Sequence, residues 1–481
     1  MAKHKEKHTF KVTQYQPNDS VTCSSIMVEV DGLKILFDLG LLQDSSKTFK
    51  QMYHINMQKL QSIPFDELDY VVISHAHYDH ISALPILARE ETGFKGTIIT
   101  TELTAELGNL IMLDAQKINQ SEVDKYSIID KCKYRTFYDK EDVAHVMQEI
   151  HCYSYDKEIK LNDNVTLELL PASHLAGASM CYLTYRNEHT SKRLLFTGDF
   201  SYGHKIPKPY TKSVLEKMLK ANVVICESTY GNKEKKASYK PTDNPLKFLE
   251  KIIKEEVVEK KQTLWLPSFA VHRATTLLYY LDLIDIDVPV YFCGQLMQQA
   301  HEVIGDARFR CYYDDEWNKY ENRHIFEKEV NFLTTKQDVE HFCFNNTPKI
   351  VVSSSGMYDK GYSALLSTAY VGNKKVSTVS CGYMGEGTLG YQIKNKEAYV
   401  NVNGNKTKVR CVYLGTIPNL SGHANFNGLI GFIKSLNQSV LQEVILVHGD
   451  DESKNCLKEE LEKEIKAKVV VPKQFQSMYC G

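Results

Sequence analysis

The sequence predicts a two-part α/β protein, strand-rich at both ends, whose middle is inserted into one discontinuous domain. Three observations carry this. Short β-rich runs alternate with polar turns over about the first two hundred residues, the texture changes near residue 232, and the strand-and-turn pattern returns after residue 415. At 481 residues the chain exceeds the roughly 250–300 at which a single core stops growing. The expected division is therefore 1–231 with 419–481 as one domain, and 232–418 as the other.

Taken in order, the first part offers SIMVEVDGLKILFDLG, LDYVVIS, GTIIT, VTLELLP, MCYLTYR and RLLFTGDF as strands, with an Asp31-Gly32 hairpin turn inside the first. ISALPILARE, after His80, is an amphipathic separator. GNKEKKASYKPTDNP reads as a lysine-rich linker, whose Lys233, Lys235 and Lys236 are more simply a solvated run than an RNA guide. Asn244-Pro245 then supplies an N-cap and a first-turn proline for a helix with Leu249, Ile253 and Val257 on one face. Strands at TLWLPSFAV, VPVYFCG and PKIVVSSSGM alternate with helical stretches such as ATTLLYYLDLI. After residue 415 come LSGHANF, EVILVHGD, the charged helix DESKNCLKEELEKEIKAK and VVVPK.

Composition excludes some classes. Hydrophobic residues make up 43% and charged residues 25%, as in ordinary globular proteins. No apolar run approaches the ~20 residues that span a bilayer, and MAKHKEKHTF is not of signal-peptide type, so a cytoplasmic protein without membrane contact is expected. Twelve cysteines are scattered singly without a CxxC, which suits buried thiols in a reducing compartment. Any metal must then use histidine and carboxylate. The formal net charge of −2 gives no global signature for nucleic acid.

The sharpest local signal is VVISHAHYDH at 71–80, four potential ligands in six residues behind a β-branched run: His75, His77, Asp79 and His80. On a strand, His75 and His77 share a face and hold one cation, and the following turn aims Asp79 and His80 at a second. Three later strand ends offer the missing ligands: His174 in LLPASHLAG, Asp199 in LLFTGDF and His448 in VILVHGD. One site would comprise His75, His77, His174 and Asp199, the other Asp79, His80, Asp199 and His448, with Asp199 bridging. Two cations about 3.5–4 Å apart clamp both oxygens of an in-line displacement at phosphorus, so a hydrolase is the natural inference.

The HxHxDH run, His174, Asp199 and Asp38 in ILFDLG together resemble the metallo-β-lactamase superfamily. CESTYG at 226–231, SSSGM at 353–357, EGTLG at 386–390, SGHA at 421–424 and VHGD at 447–450 resemble, in order, the signatures of β-CASP nucleases. The resemblance looks closest to the endonuclease subunit of the cleavage and polyadenylation machinery and its archaeal and bacterial relatives.

It implies an αββα sandwich interrupted by an inserted α/β (β-CASP) domain with a mainly parallel sheet. It further implies two Zn2+ per chain, with Mn2+ as the alternative, on the ligands named above. Catalytic roles fall to Asp79, Glu227 and His423, and Asp38 supports the site without touching metal. His448 resembles the branch that acts on RNA rather than DNA. Ser353, Ser354, Ser355, Gly356 and Arg273 are expected around a phosphate of single-stranded RNA lying in the cleft between domains.

The function expected is endonucleolytic cleavage of single-stranded RNA to 5′-phosphate and 3′-hydroxyl ends. A 5′ exoribonuclease resembling RNase J, a DNA nuclease and a silent scaffold subunit are the alternatives. A homodimer or processing-complex subunits stand open as partners. VHRATT, VYFCGQ, YDKGY and Asn425 depart from the family pattern and bear on substrate handling rather than on metal. No KH-type RNA-binding domain fits before Thr22.

Overall fold

The structure is a computed structural model that describes residues 9–201, 206–232, 244–284, 287–321, 330–343, 345, 347–382, 384–385 and 387–481. Lys233, Lys235 and Lys236 lie outside the described residues. The chain forms two compact units, one comprising Met1–Gly203, Pro207–Lys236 and His423–Gly481, the other His204–Ile206 and Ala237–Gly422.

Among the described residues the first unit contains two seven-stranded sheets. One runs Ser477–Cys480, Phe10–Gln14, Ile26–Val30, Leu33–Phe37, Tyr70–Val72, Thr97–Thr100 and Ile150–Cys152. The other runs Lys468–Val470, Glu443–Val447, Val223–Glu227, Ser191–Phe196, Ser179–Arg186, Val165–Pro171 and Glu158–Lys160. Alternating residues of both sheets meet in one buried cluster, in which Phe37 and Phe196 stack with centroids 5.0 Å apart. The expected hairpin is present: Val30 pairs with Leu33, and Asp31 and Gly32 both take positive φ, as a tight two-residue turn demands.

Helical segments separate some of these strands. ISALPILARE, the amphipathic separator, contains a 3-10 turn at Leu84–Ala88 with its proline in the first turn, where no N–H is needed. The longest helix among the described residues, Glu102–Ile129, follows a Thr101 cap that accepts from Thr104 N, and buries Leu103, Leu107, Ile111 and Ala115 at helical spacing.

The second unit holds a six-stranded sheet in the order Val330–Leu333, Val290–Cys293, Lys349–Ser353, Thr263–Pro267, Val376–Ser380 and Val412–Thr416, every pairing parallel. Its first helix, Pro245–Ile252, is capped by Asn244, whose side chain accepts from Leu246 N and Lys247 N, and Leu249, Ile253 and Val257 are buried. No helix among the described residues is long and apolar enough to cross a membrane. All twelve cysteines are free thiols.

Candidate metal centre

The candidate metal ligands read from the sequence, with Asp38, Glu227 and His423, converge in the first unit. The strand Tyr70–Val72 is spent before the histidines begin. His75 therefore sits in a loop, His77 is the N-cap of the one-turn helix Tyr78–Ile81, and Asp79 and His80 lie within that turn. This corrects the simple strand picture: His75 and His77 still come together, with the His77 backbone extended at the cap.

Three ring nitrogens meet at one point. His77 Nδ1 is 3.1 Å from His75 Nε2 and 3.0 Å from His174 Nε2. Asp199 Oδ2 closes the group at 3.6 Å from His75 Nε2 and 3.7 Å from His174 Nε2. A second group forms beside it, with His80 Nε2 3.0 Å from His448 Nε2 and His448 Nε2 3.2 Å from Asp79 Oδ2. Asp199 faces both groups, since Oδ2 lies 3.4 Å from His80 Nε2 and Oδ1 3.4 Å from His448 Nδ1.

The donor set fits a divalent cation. Two nitrogens bound to one zinc at 2.0–2.1 Å in a tetrahedron stand about 3.3 Å apart, close to the spacing found here. A ring N–H satisfies one acceptor at a time, so three converging nitrogens cannot all be paired by protons. Asp199 Oδ1, buried with its residue 2% exposed, has no hydrogen-bond donor. Such an orphaned carboxylate oxygen is costly unless a cation faces it. Both clusters could hold metal, as could Asp199, Glu227 and His423 together.

The electrostatics agree. Burial disfavours charge on His77 and lowers its pKa to about 4, and burial with the neighbouring His80 lowers that of His75, which leaves both rings neutral at physiological pH, the form a metal ligand requires. Burial also opposes charge on His80, but Asp199, Asp79 and Asp38 outweigh it and raise its pKa. Burial works against ionised Asp199 too, yet the surrounding imidazoles, His448 and His80 first, hold it well below the usual carboxylate range.

Asp38 organises the floor. Its Oδ2 is 2.6 Å from His80 Nδ1, which fixes the tautomer and turns Nε2 toward the second cluster. It also accepts from Ser74 N at 2.8 Å and Ser74 Oγ at 3.0 Å, and Ser74 Oγ lies 3.0 Å from His75 Nδ1. Thr229 Oγ1 similarly sits 3.2 Å from His448 Nδ1. Behind these, the fully buried Lys59 donates to the carbonyls of Gly40 at 2.5 Å and Cys23 at 3.3 Å.

Ser74, Thr229 and Lys59 were not identified from sequence. The first two stood inside quoted motifs, but only the fold shows which imidazole each faces. Gly40 must be glycine, because a Cβ there would lie 1.8 Å from the Asp79 carbonyl oxygen.

Glu227 ends the strand Val223–Glu227 and is 1% exposed. Its Oε1 accepts from Phe200 N at 2.9 Å and its Oε2 is 2.8 Å from His423 Nδ1. Burial disfavours protonated His423, but Glu227 and then Asp199 overcome this and raise its pKa to about 9. His423 Nδ1 is 3.8 Å from Asp199 Oδ2, so the braced imidazole adjoins the carboxylate that faces both clusters. Asn425, a departure from the family pattern, caps the next helix by accepting from Gly428 N at 2.9 Å.

In the second unit the expected phosphate segment is less open than its composition suggested. Ser353 is a core residue: its hydroxyl accepts from Trp265 Nε1 at 2.9 Å and pairs with Ser363 Oγ at 2.8 Å. The N–H of Ser354 bonds Cys293 O and that of Ser355 bonds Lys360 O. Gly356 packs under Phe269, and Arg273 is buried at the start of the helix Arg273–Leu283.

Family models match this architecture in three consecutive pieces: the metallo-beta-lactamase superfamily domain over residues 27–202, the Beta-Casp domain over 274–393 and the Zn-dependent metallo-hydrolase RNA specificity domain over 406–472. The chain belongs to the β-CASP branch of the metallo-β-lactamase superfamily. Over 472 residues it is 24% identical to Integrator complex subunit 11 of Danio rerio, covering 96% of this chain and 73% of that one.

An RNase J-like protein of Methanocaldococcus jannaschii is 26% identical, with 89% of each chain covered. Cleavage and polyadenylation specificity factor subunit 3 of Dictyostelium discoideum is 25% identical over 97% of this chain and 57% of its own length. A crystal structure of a protein of unknown function from Enterococcus faecalis V583 shares the β-CASP protein's fold, with a TM-score of 0.57 and 13% identity over 98% of this chain and 99% of that one.

Proposed function

We propose that this metal-dependent ribonuclease binds two zinc ions and cuts single-stranded RNA internally, leaving 5′-phosphate and 3′-hydroxyl ends. The observation that carries the reading is Asp199, whose oxygens face both donor clusters while its Oδ2 adjoins the Glu227-braced His423. His75, His77, His174 and Asp199 hold one ion, and Asp79, His80, Asp199 and His448 the other. Bound there, the ions would polarise the phosphodiester and acidify water between them.

The side chains supply the remaining steps. Asp79 both ligates and orients the attacking water. His423, held protonated by Glu227, donates a proton to the leaving 3′ oxygen, so the 5′-phosphate stays on the downstream fragment. Glu227 in turn is fixed by the Phe200 N–H, which aims its other oxygen at the ring.

The metallo-β-lactamase domain is assigned to 1–231 with 419–481, and the β-CASP domain to 232–418. Two relatives are by name subunits of larger complexes, and comparable partner subunits are proposed here. Twelve free thiols suit a cytoplasmic home. Of the phosphate segment, Ser354, Ser355, Gly356 and Arg273 keep that proposed role and Ser353 anchors it.

Incubation with end-labelled and circular single-stranded RNA, beside matched DNA, tests the reading. Cleavage of the circle, absent in Asp79→Ala, is expected. Release of mononucleotides from the 5′ end with an intact circle would replace it with an exonuclease. No cleavage of any RNA by zinc-loaded protein would end it.

A further inference from the structure

We propose that the β-ribbon formed by Tyr399–Val402 and Asn405–Lys408 is a second RNA contact, binding the phosphate backbone of a single strand with its lysines and a base on Tyr399. The proposal rests on the ribonuclease reading above and extends it to residues that neither the metal centre nor the phosphate segment includes.

The register pairs Tyr399 with Lys408, Val400 with Thr407, Asn401 with Lys406 and Val402 with Asn405. Strand alternation therefore sorts the ribbon into two faces. Val400 and Val402 are buried in the apolar core of the second unit, whereas Tyr399, Asn401, Lys406 and Lys408 are all exposed. The platform is braced: Asn403 and Gly404 take positive φ in the turn, Gly404 N donates to Asn401 Oδ1 at 2.8 Å, and Asn403 Nδ2 donates to Ala364 O at 2.9 Å.

Charge and aromaticity then coincide on the outer face. Lys394, Lys396, Lys406, Lys408 and Arg410 are all exposed within seventeen residues, against one carboxylate, Glu397, in a chain whose formal net charge is −2. No ion pair ties any of these five cations to an acid among the described residues. Lys406 Nζ stands 5.1 Å over the Tyr399 ring and steadies it, while the residue stays 51% exposed.

Lysines also guard exposed sheet edges against unwanted pairing. An edge guard, however, requires neither an exposed ring nor additional cations outside the ribbon. Cations that track a backbone, interleaved with an aromatic on which a base can stack, are the pattern of a single-strand surface.

The test is RNA binding in the slow-cleaving His423→Ala background, measured by fluorescence anisotropy with a labelled single strand across a salt series. The expected result for Lys406→Gln with Lys408→Gln is a log–log salt slope shallower by about 1.4, two phosphate contacts' worth for single strands. Tyr399→Ala should weaken binding about ten-fold, with Tyr399→Phe close to the parent, because the stack needs the ring and not the hydroxyl.

Unchanged melting by circular dichroism confirms that these exposed substitutions leave the fold intact. A parent that binds while all ribbon variants match it in affinity and slope overturns the ribbon and spares the ribonuclease. A parent that binds no RNA overturns both. Ribbon variants that keep RNA but lose binding to polyglutamate transfer the surface to an acidic protein partner and overturn the proposal.

Discussion

His423 Nδ1 lies 2.8 Å from Glu227 Oε2, a partly buried imidazole on a buried carboxylate, joining residues 196 apart in sequence. Glu227→Gln removes the strongest attraction opposing burial at His423, whose pKa is otherwise raised to about 9. The general acid would then lose its proton at lower pH. The alkaline limb of the pH–rate profile should move down by a unit or more, and His423→Ala should lower kcat by about 10²–10⁴-fold. An unmoved limb in Glu227→Gln would separate the pair from proton transfer.

Metal loading should release protons. In the metal-free protein the His80 pKa is raised, since its carboxylate neighbours outweigh burial, so a cation must displace that proton. Zinc affinity therefore falls as pH drops. Titration calorimetry in buffers of differing ionisation enthalpy should report proton release at pH 7, and buffer-independent heats would contradict the assignment.

Asp38 serves two histidines at once, directly for His80 and through Ser74 for His75. Asp38→Ala should lower metal affinity or activity by roughly 10–100-fold without removing a ligand. Elemental analysis after dialysis against a weak chelator is the measurement; full retention of metal would assign Asp38 to folding alone.

Gly40→Ala places a methyl 1.8 Å from the Asp79 carbonyl oxygen, a backbone neighbour that cannot rotate away. Either the Leu39–Gly40 segment or the Asp79 turn must shift. Overpacking of this kind costs about 1–3 kcal/mol, so a lowered melting temperature with loss of metal is expected. Wild-type values for both would show that the backbone yields freely.

Ser353→Ala leaves the buried Trp265 N–H without its 2.9 Å acceptor. An unsatisfied buried donor costs about 1–3 kcal/mol, which a chemical denaturation midpoint should register. A change confined to RNA binding, with stability intact, would return the Ser353 hydroxyl to the phosphate.

The residue types at 75–80, with the polar ends at 174, 199 and 448, carried the metal reading from the sequence alone, because few other arrangements place so many ligands behind buried strands. Alternation and turn chemistry likewise made the Asp31-Gly32 hairpin and the Asn244 cap legible, since both are decided within a few residues.

What needed the fold were pairings between distant segments. Lys59 under Gly40, Thr229 beside His448 and the double duty of Asp199 depend on which strand ends are neighbours. The same applies to Ser353, expected from the sequence around a phosphate, which sheet pairing sets beside Trp265. Local sequence fixes backbone conformation and the chemistry a side chain can perform. Tertiary packing decides which partner it faces, what its burial costs and therefore where its proton or cation sits.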